Sequence, residues 1–286
     1  MCIRDSVVVV GAGTMGRGIA HVAALAGYHT WLVDVDESTL QKSLTEIEHD
    51  LAAAVAREKI SEVQRSAALS RLELVSNLNS VVPTCDLFIE AVPERMALKQ
   101  EIFSSISNQV ADHSILATNT SSLCVSEIAS SSRLPERVIG MHFFNPPHKV
   151  RLLEIIRADQ TSEQVIEAVR KIGVRMDREL VVVNDSPGFA SSRLGIALGM
   201  EAIRMVEQGV AAPEDIDTAM VHGYRHPIGP LRLGDLVGLD VRLAVGDYLC
   251  RELGEEQFRP PALLRQMVTE GKLGRKSGEG FYIWTN

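Results

Sequence analysis

His142 and Glu154 are the pair on which chemistry could be built. The histidine follows an apolar run, Val138-Ile-Gly-Met141, and the glutamate lies twelve residues on inside another, Leu152-Leu-Glu-Ile-Ile156. If the two runs are adjacent strands, with His142 just past the end of its own, the carboxylate reaches one ring nitrogen of the imidazole. Such a contact fixes the tautomer and stabilises the imidazolium, so the other nitrogen can take a proton from an alcohol. On spacing alone, a structural histidine satisfied by its neighbours is the slightly plainer reading.

A second constellation stands near the start of the chain. Val7-Val-Val-Val10 is a short buried strand, and Gly11, Gly13 and Gly16 form G-x-G-x-x-G around Ala12, Thr14 and Met15, opening an amphipathic helix. Gly11 permits the tight turn, Gly13 lets backbone approach a pyrophosphate, and Gly16 lets the helix pack close to the strand. The helix N-terminus offers N–H groups and a partial positive charge to phosphates. A further run, Thr30-Trp-Leu-Val33, ends at Asp34, about 20 residues on, where a dinucleotide site carries its ribose-binding acid. An acid there accepts from a 2′-hydroxyl and repels a 2′-phosphate, which favours NAD over NADP. The alternative is a glycine turn without a ligand.

With a hydride acceptor in place, the histidine has a task, because a base must take the hydroxyl proton as hydride leaves the carbinol carbon. Asn119 and Ser121 follow another strand, Ile115-Leu-Ala117. The hydroxyl could bond the reacting oxygen and the amide could hold the nicotinamide side. Turn and N-cap chemistry for a following helix suits Thr120–Ser122 equally well.

The elements that must position these groups alternate. Asp36 caps a helix over Glu37 to about Arg57, and a polar helix from Ser61 to about Ser70 completes a helical arm over 36–70. Strands are expected at Leu72–Val75, Leu87–Ala91 and Leu180–Val183 as well, with helices over Leu98–Val110 and Glu163–Ile172. Such alternation defines a mostly parallel sheet covered on both faces. After Val183 the chain reads as helical, punctuated by Pro213, Pro227, Pro230 and Pro260-Pro261. The fold class is therefore α/β: a Rossmann-type domain over 1–183 and an all-α domain over 184–286. The stretch Ala190–Glu207 is apolar around much of its circumference, which points to a subunit interface; a single-chain core is the alternative.

Composition narrows the class. Of 286 residues, 45% are apolar and 23% charged, as in an ordinary globular protein. A formal charge of −8 argues against nucleic acid or an anionic membrane as partner. No apolar run reaches the ~18–20 residues of a span. Cys2, Cys85, Cys124 and Cys250 lie far apart and read as reduced thiols of a cytoplasmic protein, with no metal site. Met1-Cys-Ile-Arg-Asp-Ser6 is expected to be neither a signal peptide nor the native start. Hydrolase elbows, P-loops and zinc-spaced His/Cys sets are absent from the sequence.

Seven blocks carry a wider resemblance. Gly11–Ala20, Glu90-Ala-Val-Pro-Glu94, Thr118–Leu123, Gly140-Met-His-Phe-Phe-Asn-Pro-Pro147, Asp185-Ser-Pro-Gly-Phe189, His226-Pro-Ile-Gly-Pro230 and Gly274–Tyr282 resemble the short-chain L-3-hydroxyacyl-CoA dehydrogenase family, in the family's order. The resemblance implies NAD-dependent oxidation of a (3S)-3-hydroxyacyl-CoA, with His142 as base, Glu154 as its partner and Ser121 on the substrate oxygen. It implies NAD contacts at Asp34, Glu94, Lys99, Asn119, Asn145 and Lys276, a CoA contact at Arg57, and a homodimer through the C-terminal helices. One position departs: Ser192 stands where the family carries an asparagine that helps hold substrate. That departure keeps open a relative acting on a free hydroxy acid or sugar acid, of the gulonate type. A non-catalytic NAD(H)-binding protein is the third reading.

Overall fold

The computed structural model describes residues 5–81 and 85–285. Met1–Arg4, and with them Cys2 and most of the hexapeptide read above, lie outside the described residues. The chain forms two compact units, one through Asp185 and one from Ser186.

In the first unit the elements follow as β1 (Ser6–Val10), α1 (Thr14–Leu25), β2 (His29–Val33), α2 (Glu37–Ala56), α3 (Glu62–Leu69), β3 (Leu72–Val75), β4 (Leu87–Glu90), α4 (Met96–Ser107), β5 (Ile115–Thr118), α5 (Val125–Ala129), β6 (Val138–Phe143), β7 (Leu152–Arg157), α6 (Glu163–Arg175) and β8 (Glu179–Asn184). The strands make one sheet in the order β3-β2-β1-β4-β5-β6-β7-β8. All neighbours run parallel except β6 and β7, which are antiparallel. Strands covered on both faces are predominantly apolar, and β4, β5 and β6 are buried at every position, their polar exceptions Glu90, Thr118 and His142 falling at or near the carboxyl ends. The chain leaves β1 toward β2 and β3, then returns to β4 on the other side. That reversal opens a crevice at the carboxyl ends of β1 and β4, where open α/β sheets bind ligands.

The helical arm forms as its caps dictate. The Asp36 carboxylate accepts from Ser38 N–H, and Ser61 and Gln64 form a reciprocal capping box at the start of α3. Leu40, Ile47 and Leu51 are the buried apolar residues of α2, at helical spacing on one face.

Two local expectations change. His142 is the penultimate residue of β6, not the first beyond it, because the antiparallel ladder with β7 continues through Phe143 opposite Leu153. The cap of α5 is Cys124 rather than a residue of Thr120–Ser122. Thr120 instead closes a turn, its Oγ1 accepting from Leu123 N–H at 2.9 Å.

The second unit holds α7 (Ser191–Glu207), α8 (Pro213–Gly223), α9 (Pro230–Val237), α10 (Leu239–Leu253) and α11 (Ala262–Thr269). Its core gathers Ile196, Met200, Leu231, Leu239, Leu249 and Leu264 among others. On α7 the face carrying Leu194 stays open, with that side chain 72% exposed. Asp235, buried on α9, accepts from the backbone N–H of Phe281 and Tyr282 and from the Trp284 ring, fastening the C-terminal tail.

Candidate active site

The glycine loop leaves β1 at the crevice. Gly11 has φ +96°, and a Cβ there would lie 2.7 Å from Ala91 O; a Cβ on Gly16 would lie 1.7 Å from Gly11 O. Both positions therefore admit only glycine. Gly13 has nothing within 4 Å of where a Cβ would stand, so the approach to its backbone is open. It is also the N-cap of α1 and offers no side chain to the first-turn N–H groups. Gly13 and Thr14 are exposed while Met15 is half-buried against the core. This cradle fits a pyrophosphate on an uncapped helix terminus. Asp34, at the carboxyl end of β2, accepts from Ala12 N–H at 2.7 Å and from Asp36 N–H at 3.0 Å. Its carboxylate thus sits against the loop, placed for a ribose bound there.

A buried ionic group lies beneath the next strand ends. Glu90 is 0% and Lys99 1% exposed. Glu90 accepts from Lys99 Nζ at 2.7 Å, Val92 N–H at 2.7 Å and Thr118 Oγ1 at 2.7 Å. The ammonium also lies 3.3 Å from Glu94. Glu94 in turn accepts from Thr120 Oγ1 at 2.6 Å and Ser121 N–H at 2.9 Å. Burial pushes the Glu94 carboxyl up, but Lys99, the Thr120 hydroxyl and the Ser121 N–H outweigh it and hold the group below its usual range. Lys99, expected to touch a nucleotide directly, is covered by protein, so its reach toward one runs through Glu94. Glu90 escaped the sequence reading as a site residue, and Thr120 entered it only as turn or cap chemistry. The legible signal was a carboxylate closing the apolar run Leu87-Phe-Ile-Glu90, which burial obliges to find a counter-charge.

His142 and Glu154 face each other across the antiparallel ladder. The imidazole Nδ1 lies 2.9 Å from Glu154 Oε2, with the histidine 6% and the glutamate 1% exposed. A carboxylate at that distance accepts the Nδ1 proton, which leaves Nε2 as the basic nitrogen. Phe144 packs on the ring at 4.4 Å between centroids. Asn119, at the end of β5, accepts through Oδ1 from Phe143 N–H at 2.9 Å, so its amide NH2 remains the donor end. Asn145 is exposed just past β6. First-unit residues from four strand ends and the glycine loop therefore collect along one sheet edge.

Of the remaining predicted residues, Arg57 belongs to the first unit and Ser192 and Lys276 to the second. Arg57 caps the C-terminus of α2 and lines a cavity of about 440 Å³ together with Lys59, Lys149, Arg178 and Asp50. Ser192 lies half-buried in the first turn of α7. Lys276 belongs to the second unit, its ammonium 2.7 Å from Asp240.

A glycine-cradled helix terminus, a ribose-placed acid and an acid-steadied imidazole on one sheet edge define a nucleotide-dependent dehydrogenase. Residues 6–186 match the family of 3-hydroxyacyl-CoA dehydrogenase NAD binding domains, and residues 188–284 match the C-terminal domain of the same enzymes. The chain belongs to the 3-hydroxyacyl-CoA dehydrogenase family. A probable 3-hydroxybutyryl-CoA dehydrogenase of Bacillus subtilis is 41% identical, covering 96% of each chain. The mitochondrial hydroxyacyl-coenzyme A dehydrogenase of Rattus norvegicus is 39% identical over 96% of this chain and 90% of its own. Among solved structures, the (S)-3-hydroxybutyryl-CoA dehydrogenase of Ralstonia eutropha aligns with TM-score 0.95 at 37% identity, over 99% of this chain and 100% of that one. No helix among the described residues is long and apolar enough to cross a membrane.

Proposed function

We propose that the chain oxidises a (3S)-3-hydroxyacyl-CoA, of short acyl length, to the 3-ketoacyl-CoA, and runs the reverse reaction. The observation that carries this reading is the buried 2.9 Å contact between His142 Nδ1 and Glu154, in a chain of this family. NAD supplies a hydride acceptor when bound. Gly11, Gly13, Thr14, Met15 and Gly16 hold its pyrophosphate, Asp34 its adenine ribose, and Glu94, Asn119 and Asn145 its nicotinamide half. His142 takes the hydroxyl proton on Nε2, and Glu154 stabilises the imidazolium that results. Ser121 holds the substrate oxygen. The basic cavity at Arg57 suits the phosphates of CoA.

The test is NADH formation with (3S)-3-hydroxyacyl-CoAs of increasing length, run beside free 3-hydroxybutyrate, gulonate and NADP. Preference for a short CoA ester with NAD supports the reading. Preference for a free acid, or nucleotide binding without turnover, replaces it. Replacing Asp34 with alanine is expected to weaken NAD by about 10–100-fold, the worth of a charged hydrogen bond of ~1.5–3 kcal/mol, and to narrow the gap to NADP; steady-state KM values for both cofactors read it out.

The open apolar face of α7 around Leu194 supports a homodimer formed through the C-terminal helices. Light scattering is then expected to give twice the mass of one chain, and a monomeric mass removes the idea.

A further inference from the structure

We propose that His21, Asp50 and His148 form a site for one divalent transition-metal ion of the zinc class. The three come from α1, α2 and the connector between β6 and β7, and one ligand atom of each lies within 4.8 Å of the others. The imidazoles stack with centroids 5.3 Å apart and 10° between their planes. His148 Nε2 lies 3.7 Å from Asp50 Oδ2, beyond hydrogen-bond range, and is buried without a partner among the described residues. His21 is 4% exposed, enclosed in α1 beside the other two.

A buried imidazole nitrogen facing a carboxylate without bonding it is costly to a fold and useful to a cation. Bonds of ~2.0–2.2 Å in tetrahedral geometry set ligand atoms ~3.4 Å apart. The His148–Asp50 separation is already close to that, and a small rotation of side chains closes the rest. Two nitrogens and one oxygen select zinc, nickel or copper over magnesium or calcium. Arg17, Lys149 and Arg178 lie near enough to act on these histidines and oppose any divalent cation, so the affinity must come from the two imidazole nitrogens together with the Asp50 carboxylate. All three ligands line the cavity that also holds Arg57 and Lys59, so the remaining coordination position opens into it and takes water or an anionic oxygen. The site is independent of the dehydrogenase reading, since a chain without turnover would still bind the ion.

The full chain, stripped with chelator, is titrated with zinc by calorimetry and with cobalt(II) by visible absorption. One zinc per chain is expected, with cobalt bands of a four- or five-coordinate site. His148→Ala and, separately, Asp50→Asn are expected to weaken zinc by ~100-fold or more, beyond the ~10–100-fold that loss of an outer-shell contact costs. Zinc should raise the thermal midpoint of the parent and of neither variant. Equal affinity in parent and variants, a six-coordinate aquo-like cobalt spectrum, or no binding overturns the proposal. If His148→Ala fails to fold with zinc absent, the half-exposed Asp50→Asn decides alone.

Discussion

Replacing His142 with glutamine is expected to lower kcat by about 10²–10⁴-fold while NADH binds nearly as before. The amide fills much of the ring's volume and still accepts or donates a hydrogen bond. It cannot carry a proton away from a carbinol at neutral pH, so the loss falls on the chemical step. The nucleotide cradle is untouched, because Gly11, Gly13 and Asp34 belong to other strand ends. Fluorescence titration with NADH, run beside steady-state turnover, separates the two effects. Turnover equal to the parent would show that the proton leaves by another route. Both side chains are more than nine-tenths buried, and that sharpens the expectation. In a low-dielectric setting the Glu154 carboxylate acts on the imidazolium with little screening, so the pair works as a unit rather than as two loosely coupled groups.

Lys99→Met should produce the largest loss of stability, about 3–5 kcal/mol, as when one partner of a buried ion pair is removed. Methionine retains the length of the side chain and leaves Glu90 charged, enclosed and without its ammonium. Val92 N–H and Thr118 Oγ1 still bond Glu90, which moderates the cost without supplying a counter-charge. Adding Glu90→Gln removes the orphaned charge, so the double variant should recover part of the loss and the two changes should be non-additive. Urea denaturation of parent, both single variants and the double closes the cycle. A Lys99→Met protein as stable as the parent would mean that the pair is not charged in the folded chain.

The parts legible in the sequence are those fixed by local sterics. Four β-branched residues at Val7–Val10 and glycines at 11, 13 and 16 leave few conformations open, and the 1.7 Å clash awaiting a Cβ at Gly16 is what the motif encodes. The cap Asp36 was readable for the same reason, since its side chain bonds a backbone N–H two residues away; the capping box at Ser61 went unread, although the polar helix it opens did not. What depends on contacts far apart in sequence was harder to read. A spacing of twelve between His142 and Glu154 is compatible with several arrangements, and apolar runs buried on both faces carry no periodicity that reveals strand direction. Only the antiparallel turn of β7 makes the two direct neighbours. Lys99 sat at an ordinary helical position, and nothing local announced that a glutamate in the sheet would draw its ammonium inward. His21 was hidden in the same way within an otherwise apolar helix face, its companions 29 and 127 residues downstream.

The β6–β7 ladder sets unequal tolerances to change. The length of the connector from Phe144 to Arg151 does not set the opposition of His142 and Glu154, because strand pairing holds them in register. A single residue inserted within Leu152–Glu154 would instead turn the acid to the opposite side of the pleat. Substitutions on that connector therefore act through what it carries, Phe144 against the ring and Asn145 beyond the strand end, and not through the register that opposes His142 to Glu154.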